Sequence, residues 1–524
     1  MSVATLPPDN PRPDKGGDDM ATLAKGGRTN TLGFILRLLG GIPFLFVGFR
    51  LYGVDEMGRF AAAFVVIEIF ALICSLGEKR GLAQRLTEGA EDHEDTPTNL
   101  VFDGMLTSLV FSIAACALLI AFPVIIFPSG TNSEFDMWMI AAIPAFALTE
   151  ILLAAQAYRY DIATTVRARA VVEPWTKSIL VAAFFFIPAL AGGGIALAFL
   201  AAIYAALFTA AWSFLKTYGL PKAWRPRPRY LMKMTARALP LVGADVIERG
   251  TRLLDVFLLG QFTSAGTVGI YWFAKEVVSL PQKLKTSFEP ILSPVITKNL
   301  KIGNMEAIAA QVRQVGGFWI IALQVGIALM LAIPGEAVMG LAGPAIVGGT
   351  GALAILLAAE VIASMAVVSE SVLVYIARKR NLAISVGVIT LQGALTVAFI
   401  LLAQHLGYNE GFQAAGAAGA LFVALAVSSL VKALVLKTLL NAPVSNWRWA
   451  LVYAAAPAVV VGFVFTEFTP EWVELAIGGP AILFVYMWVI WKRGFTEADK
   501  VLFRKNANLP EEILEAAEST AKPR

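Results

Sequence analysis

Five ionisable side chains lie in the otherwise apolar stretch GADVIERGTRLLDVFLLG, which covers residues 243–260. They are Asp245, Glu248, Arg249, Arg252 and Asp255. At about 100° per residue in an α-helix, these positions fall within an arc of about 120° and share one face. Guanidinium groups suit phosphate oxygens, and carboxylates in a low-dielectric setting take up H⁺ or Na⁺. The face is therefore a candidate for binding an anionic cargo that is exchanged against a cation.

The order of these charges along the helix favours local pairing. Asp245 precedes Arg249 by four residues, and Glu248 precedes Arg252 by four, which is the favourable orientation of such pairs. Pairing lowers the cost of ions at membrane depth, about a few kcal/mol each, but does not remove it. The face must therefore contact water or protein. A water-filled central cavity and a closed salt-bridge seam between two halves of the protein are the two alternatives.

The next apolar segment carries a second polar stripe, and further charges occur in other apolar segments. The stripe consists of Lys275, Ser279, Gln282, Thr286, Glu289 and Ser293. The cations predicted to bind the cargo are Arg37, Arg50, Arg59, Arg249, Arg252 and Lys275. The carboxylates predicted to take up a coupling ion are Glu68, Asp245, Glu248, Asp255 and Glu289. Asp103, Glu150 and Lys177 are interpreted as residues that snorkel to the interface or form internal pairs.

Composition indicates what surrounds these charges. Of 524 residues, 57% are hydrophobic and 15% charged, with a mean hydropathy of +0.70, whereas soluble domains are about a quarter charged. Long apolar blocks predict an all-α, polytopic membrane protein of about fourteen transmembrane helices. Their predicted limits are 31–50, 58–78, 99–127, 136–158, 168–190, 194–216, 236–261, 267–297, 314–342, 346–376, 381–404, 412–437, 447–466 and 473–492.

Loop charges predict how these helices are oriented. Every second loop is basic, for example the loop with Lys79, Arg80 and Arg85, and the later one that includes Arg169. The intervening loops lack Lys and Arg, except for the turn flanked by Arg50 and Arg59. Since cytoplasmic loops hold the excess of Lys and Arg, both termini are predicted to be cytoplasmic.

A polar, Pro-rich linker divides the predicted helices into two sets. We predict two six-helix lobes around a central cavity, joined by a cytoplasmic linker, with an extra helix pair and tails at both ends. The predicted ranges are 1–30 for a disordered cytoplasmic tail, 31–216 for the N-lobe, 217–235 for the linker, 236–437 for the C-lobe, 447–492 for the extra pair and 493–524 for a cytoplasmic tail. Gly58-Arg59-Phe60 and Gly269-Ile270-Tyr271 open equivalent helices, which suggests a parallel repeat or a coincidence of residue types.

Several classes of protein are disfavoured. Residues 1–30 lack the apolar core of a signal peptide. Cys74 and Cys116 fall in apolar blocks, and His93 and His405 in separate loops, so no metal site and no disulfide is expected. The predicted outside loops are short, which disfavours a membrane glycan polymerase or ligase. No nucleic-acid partner and no cofactor beyond a coupling H⁺ or Na⁺ is expected.

Residues 50–60, RLYGVDEMGRF, followed by SLG at 75–77 and QR at 84–85, resemble the opening of the bacterial polysaccharide flippases. These belong to the multidrug/oligosaccharidyl-lipid/polysaccharide exporter superfamily. Residues 269–274, GIYWFA, together with Asp255 before them, resemble the seventh and eighth helices of the same family. The resemblance covers roughly residues 30–440.

The resemblance implies two lobes around a V-shaped cavity, in which Arg37, Arg50, Arg59, Arg249 and Lys275 would be the cavity cations. It implies that a polyprenyl-pyrophosphate-linked oligosaccharide is flipped across the bacterial cytoplasmic membrane by alternating access with cation coupling. The flipped glycan would pass to polysaccharide polymerase or export machinery, and no enzymatic step is expected. The alternatives are a cation-coupled multidrug exporter of the same superfamily and, less favoured, a membrane glycan polymerase or ligase.

Overall fold

The computed structural model describes Gly33 and residues 36–92, 96–131, 133–159, 161–221, 224–286, 296–297 and 299–496. Among these residues all regular structure is helical. Helices α1 to α15 are, in chain order, 36–47, Val54–Cys74, Glu78–Asp92, Pro97–Ala121, Glu134–Tyr158, Glu173–Phe185, Gly194–Tyr218, Pro228–Phe262, Ala265–Thr286, Met305–Ala332, Pro344–Ile376, Arg378–His405, Glu410–Leu440, Ala450–Phe468 and Glu471–Gly494. Shorter helical segments are Gly48–Tyr52, Ile162–Val166, Arg167–Val172, Pro188–Ala191 and Gly335–Gly340. The predicted tail at 1–30, most of the tail after 493, and Glu289 lie outside the described residues.

Ten of the described helices are long and apolar enough to cross a membrane. They are α2, α4, α5, α7 and α10 to α15. The predictions of an all-α fold and of a multi-pass membrane protein are therefore confirmed. The other four predicted spans correspond to α1, α6, α8 and α9, which are shorter or more charged, so the count of fourteen stays a prediction.

Helix α8 begins earlier than its apolar pattern predicts. It starts at Pro228 rather than near residue 236, so the second half of the predicted linker 217–235 is helical. Proline suits the first turn of a helix, where its missing N–H has no partner to lose. The charged segment 243–260 thus lies in the second half of a 35-residue helix.

Contacts between residues divide the chain into two compact units. Unit 1 consists of Met1–Phe273, Leu341–Gly349 and Ile389–Ala417, and unit 2 consists of Ala274–Gly340, Thr350–Val388 and Ala418–Arg524. The sequence-based division into lobes of six helices remains a prediction.

One apolar core of unit 1 lies where α4, α5 and α7 pack together. Phe214 of α7 stacks on Tyr218 and is surrounded by Val101 of α4 and Leu152 of α5. Apolar side chains turned inward from three helices remove area from solvent and fix the positions of the helices. Helices α2 and α8, which carry charged residues of interest, pack against each other in the same unit.

Two glycines let the start of α2 cross the start of α9 with their backbones in contact. A Cβ atom placed on Gly58 would lie 1.7 Å from the Ala265 carbonyl oxygen, and one placed on Gly269 would lie 2.4 Å from the Val54 carbonyl oxygen. No larger residue fits either position without moving the helices apart. The sequence analysis placed Gly58 and Gly269 at equivalent positions of a possible repeat. In the structure these two glycines contact each other within unit 1.

Unit 2 has two apolar cores of its own. In one, Val368 of α11 packs with Leu436 of α13, and in the other Phe318 packs with Ala454 of α14 and Tyr486 of α15. Arg448 covers the second core, since its guanidinium carbon lies 3.9 Å from the centre of the Phe318 ring and its Nη1 donates to the Gly494 carbonyl at 2.6 Å. This arginine ties the beginning of α14 to the end of α15.

Replacing Gly58 with alanine is expected to destabilise the protein, because the new methyl group would overlap the Ala265 carbonyl. Overpacking of this kind costs about 1–3 kcal/mol. Thermal unfolding of the detergent-solubilised protein measures the loss. Gly351→Ala is the matched control, since a Cβ on Gly351 meets nothing within 4 Å, and it should leave stability unchanged or raise it slightly. Equal unfolding temperatures for the two variants would contradict the close helix crossing.

Candidate functional site

An ion pair links α2 to α8 within unit 1. Both Nε and Nη2 of Arg249 donate to Oε1 of Glu68, at 2.8 and 2.5 Å. Glu68 lies in one of the ten apolar helices, where an ionised carboxylate needs a partner. The Glu68 side chain is 12% exposed and that of Arg249 is 43% exposed. Arg249 therefore pairs with a carboxylate that is largely buried, while part of the Arg249 side chain stays exposed.

A second arginine nearby is held by two carboxylates. Arg169 donates from Nη2 to Oε1 of Glu150 in α5 at 2.5 Å, and from Nη1 to Oε2 of Glu173 in α6 at 2.7 Å. Its side chain is only 14% exposed, and its guanidinium carbon lies 4.2 Å from the centre of the Phe146 ring. Carboxylates thus bind both terminal nitrogens of the Arg169 guanidinium group, and the Phe146 ring covers one of its faces.

Two further cations act on the same carboxylates. Arg37 of α1 interacts electrostatically with both Glu68 and Glu173, and Arg169 also acts on Glu68. Lys177 acts on Glu173, and its Nζ lies 4.2 Å from the centre of the Phe44 ring. We call these seven residues the charge cluster: Arg37, Arg169, Lys177, Arg249, Glu68, Glu150 and Glu173. With four cations and three carboxylates, the cluster carries a small positive excess.

The cluster differs from the sequence prediction in its members. Arg37, Glu68 and Arg249 were predicted as site residues and do come together. Arg169 was counted among loop cations, yet the π-helical segment Arg167–Val172 turns it into the unit. A π-helical turn changes the direction in which side chains point, and no periodic pattern in the sequence predicts it. Glu150 and Lys177 form internal contacts, which was one of the two interpretations given to them.

Arg249 is the one member of the charge cluster that comes from the segment 243–260. Asp255 is fully buried and accepts a hydrogen bond from the Tyr271 hydroxyl at 2.7 Å. Asp245 is buried, Arg252 is half-buried and Glu248 is exposed. The predicted pairing of Asp245 with Arg249 stays a prediction, while Arg249 donates its hydrogen bonds across to Glu68 of α2.

Arg50 and Arg59, predicted as cargo-binding cations, make contacts of their own in unit 1. Arg50 donates from Nε and Nη2 to the Leu341 carbonyl at 3.1 and 2.8 Å. Arg59 lies 2.6 Å from Glu56, one turn before it in α2, and 3.7 Å from Asp136. Both arginines therefore have partners outside the charge cluster.

Unit 2 holds the remaining predicted cation and one ion pair that the sequence did not suggest. Lys275 is half-buried in α9. Lys432 of α13 is 4% exposed and donates to Oε2 of Glu370 at 2.9 Å. Asn381 donates to the other oxygen of Glu370 at 3.4 Å. Lys432 stands alone in a long apolar run, so only the structure reveals its partner.

At the non-spanning helix α3, a further carboxylate is buried. Glu78 is paired with Arg85, which also donates to Sδ of Met234 in α8 at 2.7 Å. Burial raises the pKa of Glu78, while the neighbouring Arg85 opposes the increase. Nearby, Asp103 of α4 accepts a hydrogen bond from the Trp224 indole at 2.8 Å, which attaches the segment before α8 to α4. Within the described ranges, no group of His, Cys, Asp and Glu is arranged to hold a metal ion.

The sequence matches a family model described as polysaccharide biosynthesis protein over residues 25–300, more than half of the chain. No curated protein matches it. Among solved structures, lipid II flippase MurJ in an inward closed conformation is similar with a TM-score of 0.67 and 13% identity, covering 88% of this chain and 98% of that one.

Two transporter structures are also similar. An inward-facing multidrug resistance MATE family transporter of the MOP superfamily gives a TM-score of 0.62 at 17% identity, covering 78% of this chain and 95% of that one. A MOP superfamily transporter from Pyrococcus furiosus Vc1, described as having a binding pocket of reverse polarity, gives 0.52 at 17% identity, with 80% and 96% covered. At such low identities these structures establish the fold.

Removing Arg169, which binds two carboxylates, should destabilise the protein more than removing Arg249, which binds one. Arg169→Leu leaves the half-buried Glu150 and Glu173 without their shared partner, and breaking a fully buried pair costs about 3–5 kcal/mol, which is the upper bound here. Arg249→Leu should cost less, because its guanidinium group is partly exposed and screened. Thermal unfolding in detergent compares the variants, and a larger loss for Arg249→Leu would contradict this description of the cluster.

Proposed function

We propose that this chain flips a polyprenyl-pyrophosphate-linked oligosaccharide across the cytoplasmic membrane. The chain belongs to the family of polysaccharide biosynthesis proteins. The observation that carries the proposal is the charge cluster, in which four cations gather around three carboxylates within an apolar helical unit. A pyrophosphate head group is the chemical complement of such a site, because guanidinium groups bind phosphate oxygens in a planar, two-pronged geometry.

Arg249 is the residue of the cluster that is best placed to meet the pyrophosphate. Its side chain is 43% exposed, whereas Arg169 is 14% exposed and already holds Glu150 and Glu173. Arg37 is exposed and acts on the same carboxylate as Arg249. The pyrophosphate would therefore bind to Arg249 and Arg37, while Arg169 keeps the helices around it in position.

The mechanism we propose is alternating access with cation coupling. The sugar–pyrophosphate head enters the polar site from the cytoplasmic side while the polyprenyl tail stays in the hydrocarbon of the bilayer. A change of conformation then exposes the head on the outer side. No cofactor is required other than a coupling H⁺ or Na⁺. The predicted coupling carboxylates Asp245, Glu248, Asp255 and Glu289 stay proposals, together with Glu68.

A cation-coupled multidrug exporter is the second candidate, and the similarity in fold to the MATE transporter supports it. A cationic drug would need carboxylates that can turn to it. In the charge cluster Glu68 is held by Arg249, and Glu150 and Glu173 are held by Arg169. Because each of these carboxylates already has a cationic partner, the cluster favours an anionic cargo.

The proposed setting follows from this function. The protein would lie in the bacterial inner membrane with both termini in the cytoplasm, and the flipped glycan would pass to polymerase or export machinery. A glycan polymerase or ligase activity of the chain itself is not supported, since the chain has the fold of transporters and flippases. Nucleic acid has no place in this scheme.

Deleting the gene should cause a lipid-linked glycan to accumulate in the inner leaflet, because its synthesis continues while its flipping stops. Extraction of lipid-linked saccharides, followed by mass spectrometry, measures the accumulation. A plasmid-borne copy of the intact chain is the control and should restore the normal level. A strain that shows no accumulation but gains sensitivity to cationic drugs would favour the exporter instead.

Arg249→Ala and Arg252→Ala are expected to reduce glycan export while the protein still inserts into the membrane. The loss at Arg249 should be the larger, since a charge-assisted contact to phosphate is worth about 1.5–3 kcal/mol. Surface glycan is quantified in the deletion strain that carries each variant, and membrane fractions are immunoblotted. Arg229→Ala, at an exposed position near the start of the same helix, is the matched control. Normal export by both Arg249→Ala and Arg252→Ala would count against the proposal.

A further inference from the structure

The ion pair between Glu68 and Arg249 uses the two carboxylate oxygens unequally. Oε1 accepts both hydrogen bonds from Arg249, at 2.8 and 2.5 Å. Oε2 is buried and, within the part of the chain that the structure describes, accepts no hydrogen bond. A buried oxygen without a donor is costly for an ionised carboxylate, but it is a suitable position for the proton of a neutral carboxyl group.

The surroundings of Glu68 are cationic from three elements. Arg249 comes from α8, Arg37 from α1 and Arg169 from the π-helical segment Arg167–Val172. Arg169 is held by Glu150 and Glu173, and Lys177 adds its charge to Glu173. Glu68 is therefore the partner of Arg249, whereas Glu150 and Glu173 are the partners of Arg169.

An anion that binds Arg249 through its Nε and Nη2 atoms competes with Glu68 for them. Arg249 has five N–H donors, and both of its hydrogen bonds go to Oε1 of Glu68 from Nε and Nη2. A bidentate contact to phosphate through this Nε–Nη2 edge displaces Glu68, whereas a contact through the Nη1–Nη2 edge leaves Glu68 in place. The displaced carboxylate would remain in a buried position without its closest cation, and a carboxylate in such a position takes up a proton instead.

We infer that Glu68 is an internal counter-anion that takes up one proton when a phosphate of the cargo replaces it on Arg249. The inference rests on the proposed function and deepens it. In the exchange, the hydrogen bonds from Arg249 to Glu68 break and hydrogen bonds from Arg249 to phosphate form. A proton from water forms an O–H bond on Glu68, and no covalent bond of the cargo changes.

The consequence is that a proton accompanies the anion, rather than being exchanged for it as the sequence suggested. A pyrophosphate diester carries two negative charges, so cargo and proton together are still negative. The inside-negative membrane potential favours outward movement of negative charge. Proton uptake therefore reduces the charge that moves outward but does not reverse its sign.

Calorimetry of the detergent-solubilised, full-length protein tests the inference. The probe is farnesyl-pyrophosphoryl N-acetylglucosamine, a diester whose charge does not change over the range used. Titrations at about pH 7.5, in two buffers with different ionisation enthalpies, count the protons taken up. We expect about one proton per probe molecule bound, and an affinity that falls by up to about tenfold between about pH 7.5 and about pH 8.5.

Three variants separate this inference from simpler explanations. Glu68→Gln should bind the probe at least as tightly as the intact protein, with no proton uptake and no dependence on pH. Glu68→Asp keeps a titratable group and should keep proton uptake. Glu410→Gln removes a carboxylate of unit 1 that accepts hydrogen bonds from Ser264 and Thr267, outside the cluster, and should bind like the intact protein.

The outcomes distinguish the inference from the function on which it rests. Binding by the intact protein without proton uptake overturns the inference and leaves the proposed function standing. The same result follows if Glu68→Gln keeps the dependence on pH. If the intact protein does not bind the probe, or binds it no better than Arg249→Gln does, both the inference and the proposed function fail.

Discussion

The ion pair of Glu68 with Arg249 joins two helices whose residues are 181 positions apart in the chain. An ionised group inside an apolar bundle is costly, so every charge there restricts the positions that its neighbours can take. Arg169 imposes the same restriction on α5 and α6 through Glu150 and Glu173. The arrangement of helices in this part of the molecule therefore depends on charges neutralising one another.

Close packing of the helices sets the distances that these charges require. Gly58 and Gly269 let the beginnings of α2 and α9 touch at their backbones, and α2 also packs against α8. The packing of α2 against α8 brings Glu68 within hydrogen-bond distance of Arg249. The same packing leaves part of the Arg249 side chain exposed, whereas the Arg169 guanidinium group is bound by two carboxylates. That difference in exposure is the physical basis for assigning cargo binding to Arg249.

Much of the fold follows from the sequence, because long apolar blocks predict membrane helices directly. Arg37, Glu68 and Arg249 were also predicted as site residues, since charges within apolar blocks are conspicuous. Helical periodicity describes one helix at a time, however, and it does not show which residue lies across from a given face. It could not show that Asp255 bonds to Tyr271, or that Arg50 bonds to the Leu341 carbonyl.

Two kinds of feature were beyond the reach of sequence patterns. The π-helical segment Arg167–Val172 carries Arg169, which pairs there with carboxylates of α5 and α6. Lys432 looks like a lone charge in an apolar helix until Glu370 of another helix is seen beside it. Glu150 and Glu370 come from other helices than the cations they bind, so these contacts depend on the packing of helices, whereas Glu173 lies four residues after Arg169.

Cryo-electron microscopy of the full-length protein with a bound polyprenyl-pyrophosphate saccharide would show directly which side chains hold the pyrophosphate. We expect the pyrophosphate to lie within hydrogen-bond distance of the Arg249 guanidinium group, with Glu68 no longer bonded to it and Arg169 still between Glu150 and Glu173. A pyrophosphate bound elsewhere, with the contact between Arg249 and Glu68 intact, would show that Arg249 does not bind the cargo.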